Sequence, residues 1–385
     1  MKYSKLQSLS LILFFFSVNF EIWDPFNTGG FFSLAKLFGI IYFLTILPTI
    51  NKFIVIPKKI RGIVTPLILF YILLLLMNSL NIGYASSDFL STSILLNIIF
   101  FIFVINHERL MPGIIEKAFI GFLFGAVLSV ICFYLGIGVE VTLDGRVSLF
   151  GDNQNIIGLR MVIALFFLTH LLTKYGKNLS KTFSLSLILL YFPLNTLLLN
   201  TGSRVAVISL MVGVVLFIAL YKFKNILIKA LILLAFILLS GAGLNFILSS
   251  EVVGKRLMQT VEQGNLAGRD DIWRSILPLI QDNLLFGIGQ TGYADLTIKA
   301  FGRLTSPHNV ILEVLSYTGF IGLFLYLLFI YRAFFSSLKY YIKYGDVIPL
   351  LFAIPVAGVL LSGQMLMFKL GWFVLAYAAT RKYYT

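Results

Sequence analysis

Cysteine is nearly missing from this 385-residue chain: Cys132 stands alone, inside an apolar stretch. No disulfide within the chain and no thiolate metal site can form from it. Charge is scarce too, at 12% of residues, where soluble domains carry about a quarter. Acidic charge is scarcest: 16 Asp and Glu face 30 Lys and Arg, for a net charge of +14. With 59% hydrophobic residues, the chain cannot cover its apolar surface with water-compatible side chains. The polar residues cluster between long apolar runs, which is the pattern of a polytopic membrane protein. In a soluble protein the basic excess would point to nucleic acid. Here it reads as a topology signal, and no nucleic-acid partner is expected.

A signal cleavage site is missing as well. Lys2 and Lys5 precede an apolar core, as in a secretory signal, but the core runs into Glu21-Ile22-Trp23-Asp24 with no small-residue site. A retained first helix is expected. Runs of spanning length fall at 6–23, 31–50, 64–82, 89–105, 113–136, 152–173, 183–200, 204–221, 226–248 and 308–334. The last stretch, 347–380, is too long for one span, and Gly363-Gln364 divides it into two. The expected fold is therefore all-α, a single transmembrane domain over 1–385 with about twelve transmembrane helices.

Lysine marks one side of this bundle. Lys52, Lys58, Lys59 and Arg61 share a loop, as do Lys174, Lys177 and Lys181. Lys222 and Lys224, then Arg332, Lys339 and Lys343, then Arg381 and Lys382 follow. An even number of spans separates them, so they lie on the N-terminal side, which the positive-inside rule makes cytoplasmic. The opposite side has few lysines (Lys36, Lys255, Lys299 and Lys369) and many arginines: Arg146, Arg160, Arg204, Arg256, Arg269, Arg274 and Arg303. Topology alone does not call for outward arginine. Guanidinium forks suit bidentate phosphate binding, so these residues point to an anionic ligand on the outer face. The plainer alternative is pairing with outer acids or with lipid headgroups.

One long external loop covers 249–307. Within it, 268–281 places Ile272, Ile276, Leu279 and Ile280 at helical spacing, which predicts an amphipathic helix at the membrane surface. A glycine-punctuated turn region follows at 285–292.

Four motifs carry candidate chemistry. In Ser306-Pro307-His308-Asn309, serine reads as an N-cap and proline as the first helical position, with His308 and Asn309 in the first turn. The helix dipole there disfavours a protonated imidazole, and a neutral histidine can serve as general base. The free amides nearby can hold an anion. Arg160 lies inside the sixth span, where arginine is expensive and marks function unless it snorkels to the headgroups. Thr201-Gly202-Ser203-Arg204 opens the eighth span after a very short loop. Gly268-Arg269-Asp270-Asp271-Ile272-Trp273 starts the loop helix. Its adjacent carboxylates project on different sides of a helix, and His308 is the one outer histidine, so no metal site is expected.

The order of these motifs resembles the O-antigen ligase and O-antigen polymerase superfamily of bacterial envelope glycosyltransferases. The resemblance is carried by Gly202-Ser203-Arg204, the Arg269 segment, Leu285-Phe286-Gly287-Ile288-Gly289, His308-Asn309 and Tyr317-Thr318-Gly319-Phe320-Ile321-Gly322, and is best over 200–330. A further segment, Arg146 to Asn155, resembles the region before the family's sixth span. The family usually shows Pro-Asn there, and this chain has Gln154-Asn155.

The resemblance implies a GT-C-type fold in the bacterial inner membrane, multi-pass, with its active site facing the periplasm. It implies an undecaprenyl-diphosphate-linked glycan donor and an acceptor that is either lipid A-core, for a ligase, or growing polysaccharide, for a polymerase. No cofactor is implied. An acceptor hydroxyl would attack the anomeric carbon in one inverting, metal-independent displacement. The leaving lipid diphosphate already carries its charge, so it needs electrostatic stabilisation more than an acid. Arg269 and Arg204 are the expected catalytic arginines. Arg146, Arg160 and Asn309 are expected to bind substrate, and His308 to take or orient the acceptor proton. Glu313, one turn after Asn309, could orient a partner, but the plainer expectation is a helix–helix hydrogen bond. The rival reading is a transporter or flippase of lipid-linked polysaccharide. No inverted repeat supports it, but Pro193 and Pro355 could break helices in its favour.

Overall fold

The computed structural model describes residues 2–29, 32–81, 88–223, 227, 229, 254, 269–363 and 366–385. The expected span at 226–248 and most of the external loop before Arg269 lie outside the described residues.

The chain is helical nearly throughout. In order come α1 (Lys2–Ser17), α2 (Leu34–Ile46), α3 (Ile50–Phe53), α4 (Lys58–Leu80), α5 (Asp88–Leu110), α6 (Ile114–Leu135), α7 (Gln154–Tyr175), α8 (Lys181–Leu189), α9 (Tyr191–Asn200) and α10 (Arg204–Leu220). Then follow α11 (Arg269–Asp282), α12 (Gly289–Phe301), α13 (Val310–Tyr344), α14 (Ile348–Leu351), α15 (Ala353–Ser362) and α16 (Lys369–Thr380). Among the described residues, seven segments are long and apolar enough to cross a membrane: Leu34–Phe53, Lys58–Leu80, Ser91–Leu110, Ile114–Leu135, Gln154–Asn178, Lys181–Asn200 and Val310–Tyr344. Lys5–Phe20, Arg204–Leu220 and Ile348–Ser362 are shorter apolar helices. The protein is thus a multi-pass membrane protein. The final apolar stretch does divide after Ser362, but α16 has 12 residues, about 18 Å of helix.

Two prolines divide apolar runs. A proline ring clashes with the carbonyl four residues earlier and supplies no N–H. Pro193 follows Leu189 by four and α8 ends at Leu189; Pro355 follows Leu351 by four and α14 ends at Leu351.

The chain packs as two compact units. The first comprises Met1–Ile50, Met111–Gly264 and Gly345–Gly358. In it α1 lies along α6. Gly121 and Gly125 allow this: a Cβ on either would stand 2.6 or 2.4 Å from the Ile12 or Phe16 carbonyl oxygen. Small residues four apart let membrane helices approach at backbone distance. Helix α7 packs on α6, α9 and α10. At one end of α7, His170 Nε2 and Lys174 Nζ meet Glu116 of α6 at 2.9 and 2.7 Å, and Asp346 lies 3.6 Å from His170 Nδ1. A two-stranded hairpin, β1 (Val139–Val141) and β2 (Val147–Leu149), precedes α7. The alternating Val139-Glu140-Val141 and Asp144-Gly145 explain it, since Asp-Gly favours hairpin turns.

The second unit comprises Asn51–Leu110, Asn265–Tyr344 and Val359–Thr385. Here α13 packs on α4 and α16, and α12 on α4 and α13. The expected amphipathic helix is α11; Ile276 and Ile280 are buried, while Leu277 is exposed. Helix α13 is interrupted at Gly319, with φ 60° and ψ −164°. The interruption is filled by the 284–288 segment. Phe320 N–H donates to the Leu284 carbonyl at 2.9 Å, Ile321 N–H to Leu285 at 3.3 Å, and Ile288 N–H to Ser316 at 2.9 Å. Backbone groups freed in a membrane helix need such partners. A Cβ at Gly319 would come within 2.2 Å of the Leu285 carbonyl carbon, so glycine is required.

Candidate functional site

The expected site residues divide between the two units, and each set has its own setting. Arg269, His308 and Asn309 belong to the second; Arg146, Arg160 and Arg204 belong to the first.

In the second unit, Arg269 is the first residue of α11, with Asp270 and Asp271 in the same turn. Acidic residues suit a helix N-terminus. Asp270 reaches Arg274 at 3.8 Å in a solvent-exposed pair. The Arg269 Nη2 group donates to the Ser362 carbonyl at 3.5 Å. One turn on, Trp273 Nε1–H donates to the Pro307 carbonyl at 2.9 Å, which ties α11 to the segment carrying His308. From α12, the Tyr293 hydroxyl donates to the Thr305 carbonyl at 2.8 Å. Burial and the charge of Glu313 push the Tyr293 phenol up, so it remains a donor.

The helix start differs from the sequence expectation. Helix α13 begins at Val310, and its cap is Asn309, not Ser306. The Asn309 side-chain oxygen accepts from Ile311 N–H at 3.0 Å and Leu312 N–H at 3.2 Å. Ser306 caps nothing: its Oγ accepts from the His308 N–H at 3.2 Å, inside the loop. Asn309 wins because it stands directly before the first helical residue, where its side-chain oxygen meets the second and third amides of the helix, which is what a cap does. His308 therefore sits before the helix, with φ 49°. That left-handed backbone is uncommon for a residue with a side chain. The reason for a neutral imidazole changes accordingly. Burial, and then the charge of Arg269, hold the His308 pKa below the usual histidine value.

Glu313, in the first turn of α13, is 5% exposed. Its Oε1 accepts from the Tyr317 hydroxyl at 3.2 Å, along the same helix, while Oε2 has no hydrogen-bond partner. The expected helix–helix bond is thus an i, i+4 bond within one helix. Tyr317 packs edge-on against Tyr293, with ring centroids 5.3 Å apart.

In the first unit, Arg146 closes the hairpin. Its Nε–H donates to the Thr201 carbonyl at 2.9 Å and its Nη2 to Asn155 Oδ1 at 3.1 Å. It thereby joins the hairpin, the first turn of α7 and the turn before α10. Ser203 caps α10 through Ala206 N–H at 3.3 Å, and Arg204, half-buried, is the first residue of that helix. Arg160 is 1% exposed and is held by both Asp152 and Glu21, the latter at 3.0 Å. Two carboxylates around one buried cation make it an internal anchor.

Comparison with protein families supports the resemblance: residues 185–327 match the O-antigen ligase family model. Over that stretch the chain is similar to O-antigen ligases. The match runs from α8 through the first half of α13, and so takes in Arg204, Arg269, Trp273, His308 and Asn309. It agrees, over that stretch, with the family resemblance read from the motif order. No curated protein matches the chain.

Reading from sequence gave no role to Trp273 or Tyr293, which fix the His308 segment. Trp273 was visible inside the Arg269 motif, at the i, i+4 spacing that puts both residues on one helix face. Tyr293 carried no such signal.

Proposed function

We propose that the protein transfers a glycan from an undecaprenyl-diphosphate-linked donor to an acceptor hydroxyl, as an O-antigen ligase or a repeat-unit polymerase. One observation carries the reading: inside the matched domain, the helix that opens with Arg269 is tied through Trp273 to the carbonyl directly before His308, whose pKa burial and Arg269 lower. That pairing supplies a base for the acceptor and a cation for the leaving group. The acceptor oxygen attacks the anomeric carbon and inverts it. The bond from that carbon to the diphosphate oxygen breaks, and the lipid diphosphate leaves with the electron pair. The acceptor proton passes to His308, and Arg269 stabilises the departing phosphate. Arg204 and Arg146 are proposed anion-binding groups of their own unit. Arg160 we assign to the scaffold, and Asn309 to the helix cap that orients the residue before it.

The proposal includes a GT-C-type arrangement of about twelve spans in the bacterial inner membrane. It places the chemistry on the periplasmic side and needs no metal or cofactor. The lysine alternation and the arginine-rich opposite side support that orientation. Ligase and polymerase share this donor and differ in acceptor, lipid A-core or growing polysaccharide.

The test uses purified protein in nanodiscs, with donor binding and glycan transfer measured separately. His308→Ala is expected to bind donor normally and lose about 100- to 10,000-fold in turnover. Arg269→Ala is expected to lose both, and Arg269→Lys to recover in part, since lysine lacks the planar fork. Transfer at the wild-type rate by His308→Ala would sink the proposal. The helix breaks set by Pro193 and Pro355 favour a second reading, a flippase of lipid-linked polysaccharide. Donor and acceptor mixed in detergent, with no membrane to cross, give product only with an enzyme.

A further inference from the structure

We propose that Trp273 is a positioning residue that sets the placement of His308 against Arg269. The inference rests on the function proposed above and deepens its mechanism. Trp273 follows Arg269 by four residues, so both lie on one face of α11. The indole N–H donates to the carbonyl of Pro307, the residue directly before His308. That carbonyl belongs to the peptide plane whose rotation defines the His308 φ. The φ of 49° is a strained value that persists only when the surroundings hold it. The surroundings hold it at three points: Tyr293 on the Thr305 carbonyl, Ser306 on the His308 N–H, and Trp273 on the Pro307 carbonyl. Of the three, Trp273 alone comes from the helix that bears Arg269. A single hydrogen bond therefore links the group that meets the leaving diphosphate to the group that meets the acceptor.

Trp273→Phe keeps a ring in place and removes the donor. A misplacement of about 1 Å can cost on the order of 100-fold in rate. The expected result is a fall of about 10- to 100-fold in kcat with donor binding little changed. The independent readout is the 15N imidazole resonance of His308 in nanodiscs, identified by its loss in His308→Gln. In Trp273→Phe that resonance should shift, and its titration midpoint should rise as the imidazole moves away from Arg269. Trp273→His retains a ring N–H donor and should recover part of the turnover. Should Trp273→Phe fail to accumulate, Trp273→His against Trp273→Leu gives the same comparison. An unmoved His308 resonance, with or without a loss of rate, overturns the proposal. A shifted resonance with wild-type transfer keeps the positioning and instead removes His308 from the chemistry.

Discussion

Arg160 and Glu21 stand 139 residues apart in sequence and 3.0 Å apart in space. With Asp152 on its other terminal nitrogen, Arg160 joins α7 to the turn after the hairpin and to the segment that follows the first helix. Removing the cation leaves two carboxylates largely buried and uncompensated, which costs about 3–5 kcal/mol for a broken buried pair. Arg160→Ala should therefore lower abundance and the thermal unfolding midpoint in detergent. Wild-type melting with a selective loss of donor binding would return Arg160 to the substrate site.

The pH profile follows from His308. Burial and Arg269 hold its pKa below the ordinary value of about 6.5, and the neutral form is the base. Turnover should thus be flat above neutrality and fall only as pH drops through that lowered midpoint. Arg269→Gln removes the second cause, so the residual activity should show a midpoint moved upward. A wild-type midpoint above pH 7 would contradict the assignment.

Glu313 is buried with one neutral hydrogen bond and no ion pair among the described residues. An uncompensated buried charge is costly, and glutamine has the same shape without that cost. Glu313→Gln should leave thermal stability unchanged or raised. Glu313→Ala, which strands the Tyr317 hydroxyl, should lose about 1–3 kcal/mol. A large loss in Glu313→Gln would show that the charged form is required.

Metal independence is tested directly. The outer side of the sequence offers His308 and no clustered ligands, so transfer should continue at full rate in excess chelator. Loss in chelator with recovery on adding a divalent ion would reveal a ligand set not recognised in the sequence.

The orientation has its own test. In a Cys132→Ser background, Leu304→Cys should react with a membrane-impermeant thiol reagent added from outside, since Leu304 is exposed and lies in the loop predicted to face outward. Labelling only after the cytoplasmic side is opened would invert the topology.

The hydrophobic runs made most spans legible, because length and apolarity alone define a membrane helix. The breaks after Leu189 and Leu351 were legible from their prolines. What escaped depends on distant partners. Nothing near Arg160 announces Glu21, so its burial in an ion network could not be read. Ser306-Pro307 looked like a helix start because the pair fits the local rule, yet Asn309 fits it three residues later and wins by reaching the helix amides. The hairpin before α7 was announced by Asp144-Gly145 and missed because the surrounding pattern was helical. The Trp273 contact that ties the segments of Arg269 and His308 together also joins distant positions and could not be read.

The interruption of α13 at Gly319 has a consequence for recombination between relatives. Residues 284–288 and 316–321 complete each other's backbone hydrogen bonding, so neither segment is a self-sufficient module. A chimera that exchanges the external loop and leaves α13 behind inherits mismatched halves of one joint. Only crossover points placed before Leu284 and after Ile321 take both sides of the joint from the same parent.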